Sequence, residues 1–263
     1  MAIRRRTFLK LAGLTLFGTT ASAGLGNLIA SGEVKARGYT KASESLIGKR
    51  WAMLIDVKKC KEGKDNCKLK CIEACHSIHN VPSIPDKKRE VKWIWEEKFE
   101  YAFPEQADEH FKQVFKDVPF LLLCNHCENP PCVRVCPTRA TFKNEEGITM
   151  MDFHRCIGCR FCMAACPFGA RSFNWIDPRP YIKKVNPEFP TRTQGVVGKC
   201  LFCYQRLAQG KIPACVEACP EKALIFGDLG DEKSEVNRIL KERVAIRRKA
   251  ELGTHPSVFY LID

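Results

Sequence analysis

Apolar residues run almost unbroken through "WAMLID" (51–56) and again through "ALIFGDL" (223–229), each bounded by charged residues. Short continuous runs of this kind predict strands, here those of an outer structural unit. A Gly147 turn followed by Ile148–Met151 predicts a further short strand and a hairpin that feeds the loop after it. "FYLI" at 259–262 predicts a last strand or a docking segment. Between these, "VKWIWEEKFEYAFP" (91–104) is rich in aromatics, and Trp93 and Trp95 are expected to pack over the core. "IDPRPYIKKVNPEFPT" (176–191) reads as a proline-rich connection. From Asp231 to Ala250 the charges alternate with apolar residues at helical spacing, which predicts an amphipathic helix whose "LKERVAIRRK" portion is a solvated face.

One apolar stretch stands apart. From Leu11 to Ala30 the chain is rich in Leu, Ala, Gly and Thr, and about 20 residues suffice to span a bilayer. It follows Arg5-Arg6-Thr7-Phe8-Leu9-Lys10, which matches the twin-arginine export pattern, and it ends near the small residues Ala21-Ser22-Ala23. Residues 1–36 are therefore expected to be an export signal, cleaved or kept as an anchor. Such export carries proteins already folded, so a passenger can acquire a cofactor before it leaves the cell.

Cysteine changes the picture most. The 263 residues include 16 cysteines, in four sets of four. They are Cys60, Cys67, Cys71 and Cys75; Cys124, Cys127, Cys132 and Cys136; Cys156, Cys159, Cys162 and Cys166; and Cys200, Cys203, Cys215 and Cys219. The third set has the C-x2-C-x2-C-x3-C-P spacing of bacterial ferredoxins, in which three thiolates of one loop cap a cubane and the fourth ligates a neighbouring cluster. The second and fourth sets stretch one gap each and keep the C-x3-C-P ending. Zinc would explain C-x2-C pairs but not three such endings. Disulfides would suit an exported protein, yet C-x2-C pairs bridge poorly. The first set departs: its spacing is C-x6-C-x3-C-x3-C, a looser loop "CKEGKDNC" replaces the tight turn, and His76 stands where the others have proline. His76 and His79 are expected to hydrogen-bond a sulfur or carbonyl rather than ligate iron.

Paired as in two-cluster ferredoxins, the sets predict four [4Fe–4S] clusters. The first is expected on Cys60, Cys67, Cys71 and Cys219, the second on Cys124, Cys127, Cys132 and Cys166. The third is expected on Cys156, Cys159, Cys162 and Cys136, the fourth on Cys200, Cys203, Cys215 and Cys75. The predicted fold is α+β: an inner ferredoxin-like unit (119–195) inserted in an outer one (46–118 and 196–230), with a C-terminal helix and docking tail (231–263). The formal charge of +13 invites a nucleic-acid reading. Four of its basic residues lie in the signal, and each cluster with its thiolates carries about −2. The loaded protein comes near neutral, so no nucleic acid is needed. There is no G-x-G-x-x-G, no P-loop and no nucleophile for His110, His126 or His154 to serve, so no catalytic residue is expected.

"CNHCENPPCVRVCPTRAT", "GITMMDFHRCIGCRFCMAACPFGARSFNW" and the four-set layout resemble the four-cluster ferredoxin subunits of the molybdopterin-oxidoreductase/polysulfide-reductase type. "HNVP" (79–82), "KWIWEE" (92–97), "PFLLLCNHC" and "ELGTHPSVFYLID" resemble, within that type, the DsrO-type subunits of the sulfite-reduction-associated DsrMKJOP membrane complexes. The resemblance covers essentially the whole chain. It implies a periplasmic electron carrier docked on an NrfD-like quinone-reactive membrane subunit, near a multihaem cytochrome c. It also implies a cytoplasmic heterodisulfide-reductase-like module and a link to menaquinone and sulfate respiration. A second reading is the electron-transfer subunit of a molybdopterin reductase acting on polysulfide, thiosulfate or nitrite.

Overall fold

The computed structural model describes residues 44–263, so the expected export signal lies outside the described residues. The described residues form one compact unit. In chain order its elements are β1 (Trp51–Asp56), α1 (Val57–Glu62), α2 (Lys64–Cys67), α3 (Lys70–Ile78), β2 (Ile94–Glu97), α4 (Phe99–Ala102), α5 (Glu109–Val114), β3 (Phe120–Leu123), α6 (Pro131–Arg134), β4 (Thr141–Lys143), β5 (Thr149–Met151), α7 (Phe161–Ala164), β6 (Ser172–Phe173), β7 (Val197–Gly198), α8 (Tyr204–Leu207), α9 (Ala214–Glu217), β8 (Leu224–Asp228), α10 (Glu235–Glu242), β9 (Ala245–Ile246) and β10 (Val258–Leu261). This is an α+β architecture of short helices and small sheets. No helix among the described residues is long and apolar enough to cross a membrane.

The largest sheet has the order β8-β1-β10-β9. β1 is buried along its whole length and antiparallel to β8, with Leu54 opposite Ile225. Its other edge pairs in parallel with β10, with Leu54 opposite Phe259. Both faces are covered, which is why the strand reads as an unbroken apolar run. Ala52, Leu54 and Leu261 meet Val236 and Ile239 of α10, while Met53 and Ile55 join the main core with most of the cysteines. Asp56 closes β1, caps α1 by accepting the Lys59 N–H, and forms an ion pair with Arg243 at 2.6 Å.

Three expectations differ from the structure. The helix expected over 231–250 ends at Glu242. There Arg243 turns extended to reach Asp56 and Asp263, and Ala245–Ile246 pair with β10. The tail thus joins the large sheet, where "FYLI" supplies most of its last strand, β10. "CKEGKDNC" is not a loop but two short helices, α1 and α2, joined at Gly63. A Cβ on Gly63 would lie 2.1 Å from Glu221 Cγ, so glycine lets this joint sit against the fourth cysteine set. The unit boundaries are also crossed by pairing: β2 pairs with β3, and β6 with β7. The β4–β5 hairpin forms as the sequence indicates, with Phe142 opposite Met150.

Candidate metal centre

Each cysteine loop is bent by residues of positive φ. Before the second cysteine of sets two, three and four stand His126 (φ 41°), Gly158 (φ 70°) and Phe202 (φ 49°). After C-P, the same three sets place Arg139, Gly169 and Lys222 in the left-handed region, each followed by alanine. The turn aims backbone N–H groups at the last sulfur: Thr141 N–H donates to Cys136 Sγ (3.4 Å) and Ala223 N–H to Cys219 Sγ (3.3 Å). Burial works to raise the Cys136 pKa, but hydrogen bonds from Thr141, Thr138 and Ala140 bring it below the ordinary value, favouring the ligand form. The first set lacks this turn. With His76 in place of proline, α3 runs on through Cys75 to Ile78. His79 then packs back: its Nδ1 lies 2.8 Å from the Cys75 carbonyl and 3.7 Å from Cys75 Sγ, while Gln205 Nε2 meets Nε2 at 2.9 Å. The Gln205 N–H fixes Nε2 as acceptor, so Nδ1 carries the proton and donates. Burial lowers the His79 pKa to about 4, so the ring is neutral.

The sixteen cysteines are all free. Among the described residues no three His, Cys, Asp or Glu side chains converge closely enough to hold one metal ion. Instead, thiols surround cavities. Cys60, Cys67, Cys71 and Cys219 line one, together with Leu69 and Leu121. Cys124, Cys127, Cys132 and Cys166 line a second. Cys136, Cys156, Cys159 and Cys162 line a third. Cys75 is buried beside Cys200, Cys203 and Cys215, and its thiol is pushed up first by burial and then by those three neighbours. In each foursome one member comes from a different set than the other three.

The foursomes form a row. Cys75 and Cys215 both feel Cys71, and α3 packs on α9, so the first foursome adjoins the fourth. Cys200 feels Cys124, and His126 stacks on Phe202 at 3.7 Å, so the fourth adjoins the second. Cys162 feels Cys132, and α6 packs on α7, so the second adjoins the third. The ends of the row are half-buried, at Cys60 and Cys67 on one side and Cys136, Cys156 and Cys159 on the other; Cys166 of the second foursome is half-buried too, and the fourth foursome is wholly buried.

A four-thiolate donor set with space at its centre fits an iron–sulfur cluster and not a lone ion. Burial and repulsion from neighbouring thiols push Cys71, Cys127 and Cys200 up to about 12, and burial alone pushes Cys203 up to about 11. Binding a metal centre would displace those protons. Buried donors await partners in the same places: Thr149 Oγ1 lines the second cavity without a hydrogen-bond partner among the described residues, and His126 Nε2 is equally orphaned. Of the four buried cations among the described residues, three stand close in sequence to a cysteine set and would offset the charge such a group would bring. Lys199 Nζ donates to the carbonyls of Thr149 and Cys200, the latter at 2.7 Å. Arg192 donates to the carbonyls of His79 and Asn80 and lies 5.0 Å over the Trp93 ring. Arg171 Nη2 donates to Cys132 Sγ at 3.0 Å. None of these cations was picked out from the sequence. Their signal was position: each lies within about eight residues of a cysteine set.

Fold and foursomes together define a ferredoxin-type iron–sulfur protein with ligands for four [4Fe–4S] clusters. Residues 118–229 match the family described as a 4Fe-4S dicluster domain. The chain is 40% identical, over 97% of both chains, to the Hdr-like menaquinol oxidoreductase iron-sulfur subunit 1 of Archaeoglobus fulgidus. It is 38% identical to the menaquinone reductase iron-sulfur cluster-binding subunit of Nitratidesulfovibrio vulgaris, over 81% of this chain and 88% of that one. It is 35% identical to a subunit of the tetrathionate reductase of Salmonella typhimurium, over 98% and 87%. The chain belongs to this family of iron–sulfur electron-transfer subunits.

Proposed function

We propose that this chain is the extracytoplasmic electron-transfer subunit of a quinone-linked membrane complex, exported folded by the twin-arginine route. In this reading the four foursomes hold the four [4Fe–4S] clusters, and the row runs first, fourth, second, third. Each bound cluster takes up and releases one electron at a time. The chain holds them in line, seals the fourth foursome from solvent, and leaves the two ends of the row partly accessible. Electrons pass between an NrfD-like quinone-reactive membrane subunit, a multihaem cytochrome c and a heterodisulfide-reductase-like module, in a complex serving sulfite or sulfate reduction. The observation that carries this reading is the similarity, over 97% of both lengths, to a menaquinol oxidoreductase subunit named Hdr-like. The near full-length similarity to the tetrathionate reductase subunit favours the second reading, a molybdopterin reductase subunit.

The test is metal analysis and co-purification. Anaerobically purified protein is expected to carry about 16 iron and about 16 acid-labile sulfide per chain, with the reduced form giving cluster EPR signals. Haem and heterodisulfide-reductase-like chains are expected to co-purify; a molybdopterin subunit in their place selects the second reading. Zinc without labile sulfide overturns both.

A further inference from the structure

Arg171 is the fifth residue after Cys166, and Thr141 is the fifth after Cys136. The inner unit brings these equivalent positions together. Arg171 Nη1 donates to Thr141 Oγ1 at 3.1 Å, and the same nitrogen lies 3.9 Å from Met151 Sδ. Nη2 donates to Cys132 Sγ, a ligand of the second foursome. Cys162, of the third foursome, is the next thiol the guanidinium acts on. The side chain is 5% exposed and has no carboxylate partner among the described residues. A buried guanidinium without a carboxylate needs another source of negative charge. Thiolate-ligated clusters on either side supply it.

The outer pair has no counterpart. Its facing third cysteines are Cys71 and Cys215, and the fifth positions after the terminal cysteines are Asn80 and Leu224. Leu224 is 2% exposed, and the Asn80 amide is spent on the carbonyls of Asn186 and Phe189. Arg192 and Lys199 place their N–H groups on carbonyls, so Arg171 is the one cation among the described residues with a hydrogen bond to a cysteine sulfur.

We propose that Arg171 is a shared counter-ion of the second and third foursomes, a positioning residue that raises the reduction potentials of both inner clusters together and sets the inner pair above the outer pair. This rests on the reading that the foursomes hold clusters. Reduction adds one electron to a cluster and makes it more negative. A fixed cation hydrogen-bonded to a ligand sulfur favours that state. The guanidinium keeps its proton throughout, so the electron arrives without one.

The test uses the full-length, cluster-loaded protein and EPR-monitored titration with dithionite and mediators. Arg171→Leu is expected to lower two of the four midpoints by about tenfold in the reduction equilibrium, about 59 mV for one electron, and to leave the other two in place. Arg171→Lys restores part of the shift, because the charge remains and the fork is lost. Thr141→Val keeps the backbone N–H to Cys136 but frees the guanidinium, so it moves the same two midpoints by less. The shifts hold from about pH 6 to about pH 9, since guanidinium does not titrate there. Unmoved midpoints, a single moved midpoint, or all four moving together overturns the proposal. Iron and sulfide are measured on every variant. Their absence from the unsubstituted protein is the failure of the cluster reading; their presence with unmoved midpoints is the failure of this one.

Discussion

The inner and outer pairs of foursomes use the same number of thiols and the same exchange of one cysteine, yet they are built differently. The inner pair comes from contiguous chain, folded by a local hairpin and two C-P turns, with half-exposed thiols in both of its foursomes. A cation bridges its two halves. The outer pair joins segments far apart in sequence, held by β1, β8 and β10, and its fourth foursome is sealed from solvent. Ligand spacing therefore specifies what binds, while the surroundings decide how each site differs in burial, charge and dependence on the rest of the fold.

The comparison can be broken most severely at a ligand. Cys159→Ser, in the inner pair, is expected to remove about one to four iron atoms per chain and stop electron transfer along the row. Iron analysis and transfer rates check this, and unchanged values for both would sink the assignment. Next comes the sheet behind the outer pair. Leu54 is fully buried between β1 and α10, and Leu54→Ala should cost about 2–5 kcal/mol. In thermal melts the outer clusters should be lost before the inner ones. Gly158→Ala tests the inner loop. At φ 70° an added Cβ would lie 2.2 Å from the Gly195 carbonyl, so strain of about 1–3 kcal/mol is expected. Cluster loss should be confined to the third foursome, read by EPR. The smallest effect is at the seam: Tyr260 O–H donates to the Leu121 carbonyl at 2.9 Å, tying β10 to β3. Tyr260→Phe should cost about 1 kcal/mol with all four clusters retained, as denaturant melts would show.

The sequence made the local features legible. Cysteine spacing is a covalent constraint read over a dozen residues, and the apolar runs marked β1 and β8 as strands, β1 buried along its whole length and β8 half-exposed beyond Leu224. What escaped was set by partners distant in the chain. The charge pattern of 231–250 is helical to the end, but Arg243 is drawn off by Asp56 and Ile246 by Tyr260. "FYLI" gives no hint that it pairs in parallel with β1. Arg171, Lys199 and Arg192 look like surface cations, because basic side chains are rarely buried unless paired. Their partners are sulfurs and carbonyls brought close only by the fold.

The position of β10 in the sheet also orders assembly in time. Every cysteine of the chain leaves the ribosome before Val258 does, so thiols for all four foursomes are exposed while the sheet between β1 and β9 is still open. The inner pair has all its strands by then, but its 125–129 loop is tied by backbone hydrogen bonds to residues 254–257, just ahead of β10. The outer pair must wait for β10. The segment from Thr254 to Leu261 thus serves both pairs at once: its first residues hold the loop of the second foursome, and its strand closes the sheet behind the outer pair.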